Sequence, residues 1–210
     1  MGKAHCAELV KKLSRANGIL AKTRHFVPLE HLKNIYYATF SSNLMYGSQV
    51  WGQSLQSVND KISLLQRKAI RIMSFSTFNA HSEPLFKELK IIKANDNIFL
   101  QNCLLVHDFF HDKLPKTFNN IFVKAKDTHG IYTRNANDGN IALPRYNSTN
   151  YGLNSIYKQC IDAWNKFTNE QKCFDKIQKR QNKNYKLIDL HNISRSKLKQ
   201  LITNYFIDSY

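Results

Sequence analysis

The chain is predicted to be mainly α: a three-helix bundle, a second helical layer, and a loop-rich tail with room for short strands and ending in helices. Three observations carry this. Apolar residues recur at three- and four-residue steps through most of the first 110 positions, the period of one helix face. Prolines, serines and aspartates stand where those stripes begin, as helix starts require. From Lys124 to Tyr151 the periodicity gives way to Asn, Asp, Gly, Thr and Pro, the residues of turns. The divisions expected are 1–77, the bundle; 78–123, a helical segment; and 124–210, a loop-rich region with terminal helices.

The first helix follows from Cys6, Leu9, Leu13, Ala16 and Leu20, with Lys11, Arg15 and Lys22 sharing an opposite face. Gly18 lies inside it and marks a bend. Pro28 suits the first turn of a second helix, whose Leu32, Tyr36, Phe40 and Leu44 repeat at four-residue steps. That helix should end near Gly47, in a run with two glycines and two large aromatics, Tyr46-Gly47 and Trp51-Gly52. Both aromatics are expected to be structural. A third helix, Val58 to Phe75, should bury Val58, Ile62, Leu65, Ala69 and Ile72, with Arg67, Lys68 and Arg71 together on the other side.

Ser82 is placed to cap a short helix through Leu89, and Asp96 a longer one over Asn97–His111. The longer one is apolar nearly all round, which predicts a buried helix. Asn137-Asp138-Gly139 could turn a hairpin. Helix should resume over Ser155–Phe167, followed by a polar, basic stretch from Lys172 to Lys186. A last helix begins at Ser194, with Leu198, Leu201, Ile202 and Tyr205 on one face.

The 210 residues carry a formal net charge of +16. Basic residues outnumber acidic ones by 18 to 8 up to Lys126 and by 13 to 7 after it, so no single tail holds the charge. Such a chain attracts polyanions, of which nucleic acid is the commonest. AT-rich coding also enriches Lys, Asn, Ile, Tyr and Phe, and the charge acts the same whatever its origin. Cys6, Cys103, Cys160 and Cys173 are far apart and match no zinc spacing, which predicts reduced thiols in an intracellular chain. Neither a signal peptide nor a run of 18 apolar residues is present, so neither secretion nor membrane insertion is expected.

No catalytic constellation is evident, and no cofactor is expected. Two-metal nucleotidyl transfer needs paired carboxylates, and the ten Asp are scattered singly with no Asp-Asp pair. His107 and His111 have the i, i+4 spacing of a metal pair, with Asp108 and Asp112 repeating beside them, but the Glu expected after the first His is replaced by Asp108 and no third ligand is obvious. Gly-x-Ser-x-Gly, Walker and Gly-x-Gly-x-x-Gly motifs are absent. What remains is basic surface: Lys11, Lys12, Arg15, Lys22 and Arg24 near the start, and Arg67, Lys68 and Arg71 on the third helix. These are the candidate phosphate contacts, although a charged helix face is commonly just a solvated one.

Five ordered blocks resemble the C-terminal part of non-LTR (LINE-type, jockey-like) retrotransposon reverse transcriptases. They are KLSRANGILAKTR, LKNIYYATFSSNLMYGSQVWG, LQRKAIRIM, HSEPLFKELKIIKANDNIFLQNCLLV and the segment from Thr128 to Phe167. The motif positions are Tyr46, Gly47, Trp51, Gly52, Thr133, Arg134, Pro144, Tyr151, Gly152, Trp164 and Asn165. The resemblance implies a polymerase thumb in the first bundle, gripping template-primer by its backbone, and a post-thumb helical segment after it. It implies RNA or DNA as a sequence-non-specific partner, together with the palm and fingers of a parent RNA-directed DNA polymerase. Endonuclease, fingers and palm motifs have no counterpart in these 210 residues, so the chain alone is not expected to polymerise. The nucleus is the expected compartment if the chain belongs to an active element. From a different class, a helical protein-interaction module with no nucleic-acid role fits the same helices.

Overall fold

The computed structural model describes residues 2–52, 56–128, 140–143, 155–181 and 188–210. They are helical, and the short strands of the tail reduce, among these residues, to one antiparallel bridge between Lys124 and Ile141. By compactness the chain forms two units, Met1–Ile98 with Thr203–Tyr210, and Phe99–Ile202.

The first unit is built on α1 (Gly2–Thr23), whose Cys6, Leu9, Leu13, Ala16 and Leu20 are all buried. α1 runs unbroken through Gly18, so the bend expected there does not divide the helix. Next come α2 (Leu29–Ile35), a six-residue π segment (Tyr36–Ser41) and α3 (Ser42–Met45), with Leu32, Tyr36, Phe40 and Leu44 buried along them. The π turn has no signature in the sequence, because four-residue apolar steps suit either helix.

Gly47 turns the chain at a φ of 61°, which glycine adopts without strain, into the short α4 (Ser48–Trp51). Trp51 is buried, and its indole N–H donates to the Tyr46 carbonyl at 3.0 Å. Tyr46 is 76% exposed, its ring meeting only the His5 ring among the described residues at 6.3 Å, contrary to the expectation of a buried structural aromatic. Gly52 is fixed by close approach: an added Cβ would lie 2.5 Å from the Ser48 carbonyl oxygen and 3.0 Å from Ile98.

α5 (Gln56–Met73) packs against α1. Its inward face is Ile62, Gln66, Ala69, Ile70 and Met73; the expected Val58, Leu65 and Ile72 are only partly buried. The face is turned because a polar residue lies at its centre. Gln66 Nε2 donates to the Tyr36 hydroxyl (3.0 Å) and the Ile92 carbonyl (2.9 Å), while its Oε1 accepts from the Ala94 N–H at 2.7 Å. α6 (Ser82–Leu89) follows, with Ser82 as its first residue and no side-chain cap. α7 (Ala94–Phe110) starts earlier than expected, because Gln66 caps it at Ala94 and not Asp96. Asp96 instead accepts from the Tyr210 hydroxyl.

The second unit centres on the buried Leu100, Cys103, Leu104 and Val106 of α7, with Phe122, Ile141, Ile161, Trp164 and Phe167. A 3-10 turn (Lys116–Asn120) and α8 (Ala125–Thr128) lead to the bridge. There Asn165 clamps the Ile141 peptide from both sides, donating to its carbonyl at 2.9 Å and accepting from its N–H at 3.0 Å. α9 spans Ile156–Gln181, well past the Phe167 end expected. Lys, Gln, Glu and Arg are good helix formers, and Gln171 and Asp175 are buried one turn apart, hydrogen-bonded at 2.9 Å. α10 (Arg195–Ser209) starts as expected: the Ser194 hydroxyl accepts from the Lys197 N–H at 3.3 Å, and Leu198 and Ile202 are buried.

Candidate nucleic-acid interface

The outer side of α1 is the plainest basic surface of the first unit. Lys11, Arg15 and Lys22 point away from the buried stripe and are exposed. At 1.5 Å per residue they span about 16 Å of helix axis. Lys12, also exposed, lies about 100° round the helix from Lys11. The lone acid of α1 is Glu8, 4.0 Å from Lys11 and itself exposed, a geometry that contributes little. Arg24 lies beyond the helix and differs from the others. Its guanidinium covers the Phe75 ring at 4.8 Å, and its Nε lies 3.2 Å from His25.

The α5 cations do not form one cluster. Arg67 and Arg71, four residues apart, line a cleft of about 780 Å³, whereas Lys68 lies outside that lining. A step of one residue turns a helix by about 100°, so Arg67 and Lys68 cannot face the same way. Lys68 shares its side with Lys61, seven residues earlier, a pairing that helical spacing alone reveals. No α1 cation lines the cleft.

The cleft belongs wholly to the first unit and collects residues far apart in sequence. Arg71 Nε donates to the Ala80 carbonyl at 2.8 Å, tying the loop after α5 to the helix. Lys93 Nζ reaches Glu83 at 2.8 Å and lies 4.1 Å from the centre of the Tyr210 ring. Hydrogen bonding to Lys93, with its charge, holds the Glu83 carboxyl below its ordinary range. Tyr210 accepts from the Lys93 N–H at 2.9 Å and donates to Asp96, and burial pushes its phenol up. Neither His81 nor Lys93 stands out in the sequence; no local pattern joins them to Arg67.

In the second unit His107 and His111 stack with ring centres 4.0 Å apart. His107 Nε2 is 2.9 Å from the Ile193 carbonyl and its Nδ1 is 3.8 Å from Asp108, whose other oxygen accepts from Arg195 Nε at 3.0 Å. Among the described residues no three His, Cys, Asp or Glu side chains gather as metal ligands. Burial pushes the Cys103 thiol well above its ordinary value and Cys160 up to about 12, so both remain thiols. Comparison with protein-family models, curated proteins and solved structures finds no match to this chain. Among the motif positions, Trp164 is buried and Asn165 makes the Ile141 clamp. Thr133, Arg134, Pro144, Tyr151 and Gly152, with the Asn137–Gly139 turn, lie outside the described residues. Among the described residues no helix is long and apolar enough to cross a membrane.

Proposed function

We propose that this chain is a sequence-non-specific nucleic-acid-binding helical module, the counterpart of the thumb and post-thumb part of a non-LTR retrotransposon reverse transcriptase. Its partner is RNA or DNA, held by the backbone, and it does not itself polymerise. The observation that carries this is the outer face of α1, where Lys11, Arg15 and Lys22 stand exposed along about 16 Å. Lys12 flanks them, and the +16 net charge adds diffuse attraction. Sequence-independent binding needs this: cations at successive phosphates, without side chains placed to read base edges. The five blocks of resemblance give the same direction.

The test is a salt titration against one duplex. Replacing Lys11, Arg15 and Lys22 with Gln should weaken binding and flatten the log–log salt slope by about 0.9 for each phosphate that is no longer neutralised. Lys116, Lys179 and Lys199, exposed in the second unit, are the control triple. Equal weakening in the two variants would reduce the interaction to diffuse attraction and refute a grip by α1. Template-dependent primer extension by the purified chain would overturn the non-catalytic part. The protein-interaction reading has its own support, since Phe26 and Phe78 are 86% and 79% exposed. Absence of nucleic-acid binding at low salt would favour it.

A further inference from the structure

The cleft of the first unit has features that a solvated charge face lacks. Its volume, about 780 Å³, is in the range of small-molecule sites. Arg67 and Arg71 enter it from one side of α5, and among the described residues no carboxylate lies within 4 Å of either guanidinium. Arg71 is held in place through Nε by Ala80, which leaves the rest of its fork open. Two guanidinium forks match the paired oxygens of a phosphate or a carboxylate.

The remaining lining narrows the ligand. Glu83 is taken by Lys93 and Asp96 by the Tyr210 hydroxyl, so neither answers the arginine pair. Counted formally, the lining holds Arg67, Arg71 and Lys93 against Asp60, Glu83 and Asp96, which cancel. A balanced lining with an arginine edge favours one phosphate group over a triphosphate, whose further charges would meet carboxylates. Phe206 and Tyr210 line the same cleft, with Lys93 over one face of the Tyr210 ring, and a nucleobase gains by stacking on aromatic rings. We propose that this cleft binds a single nucleotide, free or at the phosphorylated end of a strand, with Arg67 and Arg71 on its phosphate and its base against the Phe206–Tyr210 side. A carboxylate ligand lacks the planar, stacking part that this wall rewards.

Calorimetry on the full chain tests this with AMP, adenosine, inorganic phosphate and ATP. AMP should bind saturably at one site, with adenosine and inorganic phosphate each weaker by about tenfold or more. ATP should bind no more tightly than AMP. Arg67 is exposed and its side chain makes no hydrogen bond or ion pair among the described residues, so Arg67→Gln should leave folding intact and weaken AMP about tenfold. Lys68→Gln, one residue away but outside the lining, should change AMP affinity less than about twofold. A dinucleotide with a 5′-phosphate, against one with a 5′-hydroxyl, separates the sources: preference for the phosphorylated end extends the site to strands, and its lack confines the site to free nucleotides. No saturable AMP binding, equal effects of Arg67→Gln and Lys68→Gln, or tighter binding of ATP would each overturn the proposal. The inference does not depend on α1. The Lys11, Arg15 and Lys22 variant should keep its AMP affinity even where strand binding disappears.

Discussion

Each unit encloses one tryptophan, and the two indole N–H groups have opposite fates. Trp51 in the first unit donates to the Tyr46 carbonyl at 3.0 Å, whereas Trp164 in the second is fully buried with no acceptor among the described residues. The contrast extends to the central polar residues. Gln66 satisfies three partners, while His107 spends Nε2 on Ile193 and leaves Nδ1 without a hydrogen bond. Thr168 in the second unit likewise buries an unpaired hydroxyl. A buried polar atom without a partner costs about 1–3 kcal/mol against its paired state. The first unit has one such atom among the described residues, Asn17 Oδ1, so the cost of unpaired polar atoms falls mainly on the second. The first should be the sturdier of the two, and the two indoles, one in each, report on them separately.

The largest expected effect is on Trp51. Trp51→Ala removes a buried indole and its hydrogen bond and should destabilise the first unit by about 3–5 kcal/mol. Thermal unfolding of the first unit followed by amide exchange in α1 and α5 checks it, with Trp164 fluorescence as the control on the second unit. An unchanged melting point would place the indole at the surface in solution.

Next comes Gln66. Gln66→Leu keeps the size but leaves the Tyr36 hydroxyl, the Ile92 carbonyl and the Ala94 N–H without their partner, at a cost of about 2–4 kcal/mol. Burial already pushes the Tyr36 hydroxyl above its ordinary pKa, so it cannot recover by ionising. Denaturant titration measures the loss. A change under about 0.5 kcal/mol would mean that water replaces the glutamine.

The comparison sharpens with pH. Burial lowers the pKa of His107 and of His191 in the second unit. In the unfolded chain these imidazoles take up protons near pH 6.5, before they do so in the folded state, so stability is lost as pH falls below about 6.5 and levels off below the folded values. In the first unit Glu83 is shifted by Lys93, and its contribution persists until pH falls into the carboxylate range, near about 4. Acid between those limits should weaken the second unit first. The Trp164 signal should therefore change at a higher pH than the Trp51 signal, and coincident transitions would refute the contrast.

These differences also explain which elements are legible in the sequence. The stripe of α1 and the Leu32–Leu44 series are legible because each buries one apolar face, and hydrophobic period reports that directly. The true face of α5 is not, since its centre is a glutamine whose partners come from the π segment and the start of α7. The part of α9 beyond Phe167 escapes the apolar period because its inward positions include Gln171 and Asp175, paired with each other. In the candidate site the Arg67–Arg71 spacing is legible as one helical turn. The separation of Lys68 follows from the same geometry. The cleft itself is not legible, because Glu83, Lys93 and Tyr210 meet only through the fold.

The smallest expected effect is the one that isolates the indole N–H. Trp→Phe at either site removes about the same volume, at a cost on the order of 1 kcal/mol for the space left behind. At position 51 the change also strips the Tyr46 carbonyl of its donor, adding about 1 kcal/mol. At position 164 there is no described bond to lose, and deleting an unpaired buried donor returns part of the cavity cost. Trp164→Phe should thus be tolerated within about 1 kcal/mol, and Trp51→Phe should cost more. Each variant leaves the other tryptophan as reporter, so the pair is read by denaturant titration alongside amide exchange at helices of the altered unit. Equal costs would show that Trp164 Nε1 holds a buried water in solution, and the contrast between the two indoles would then disappear.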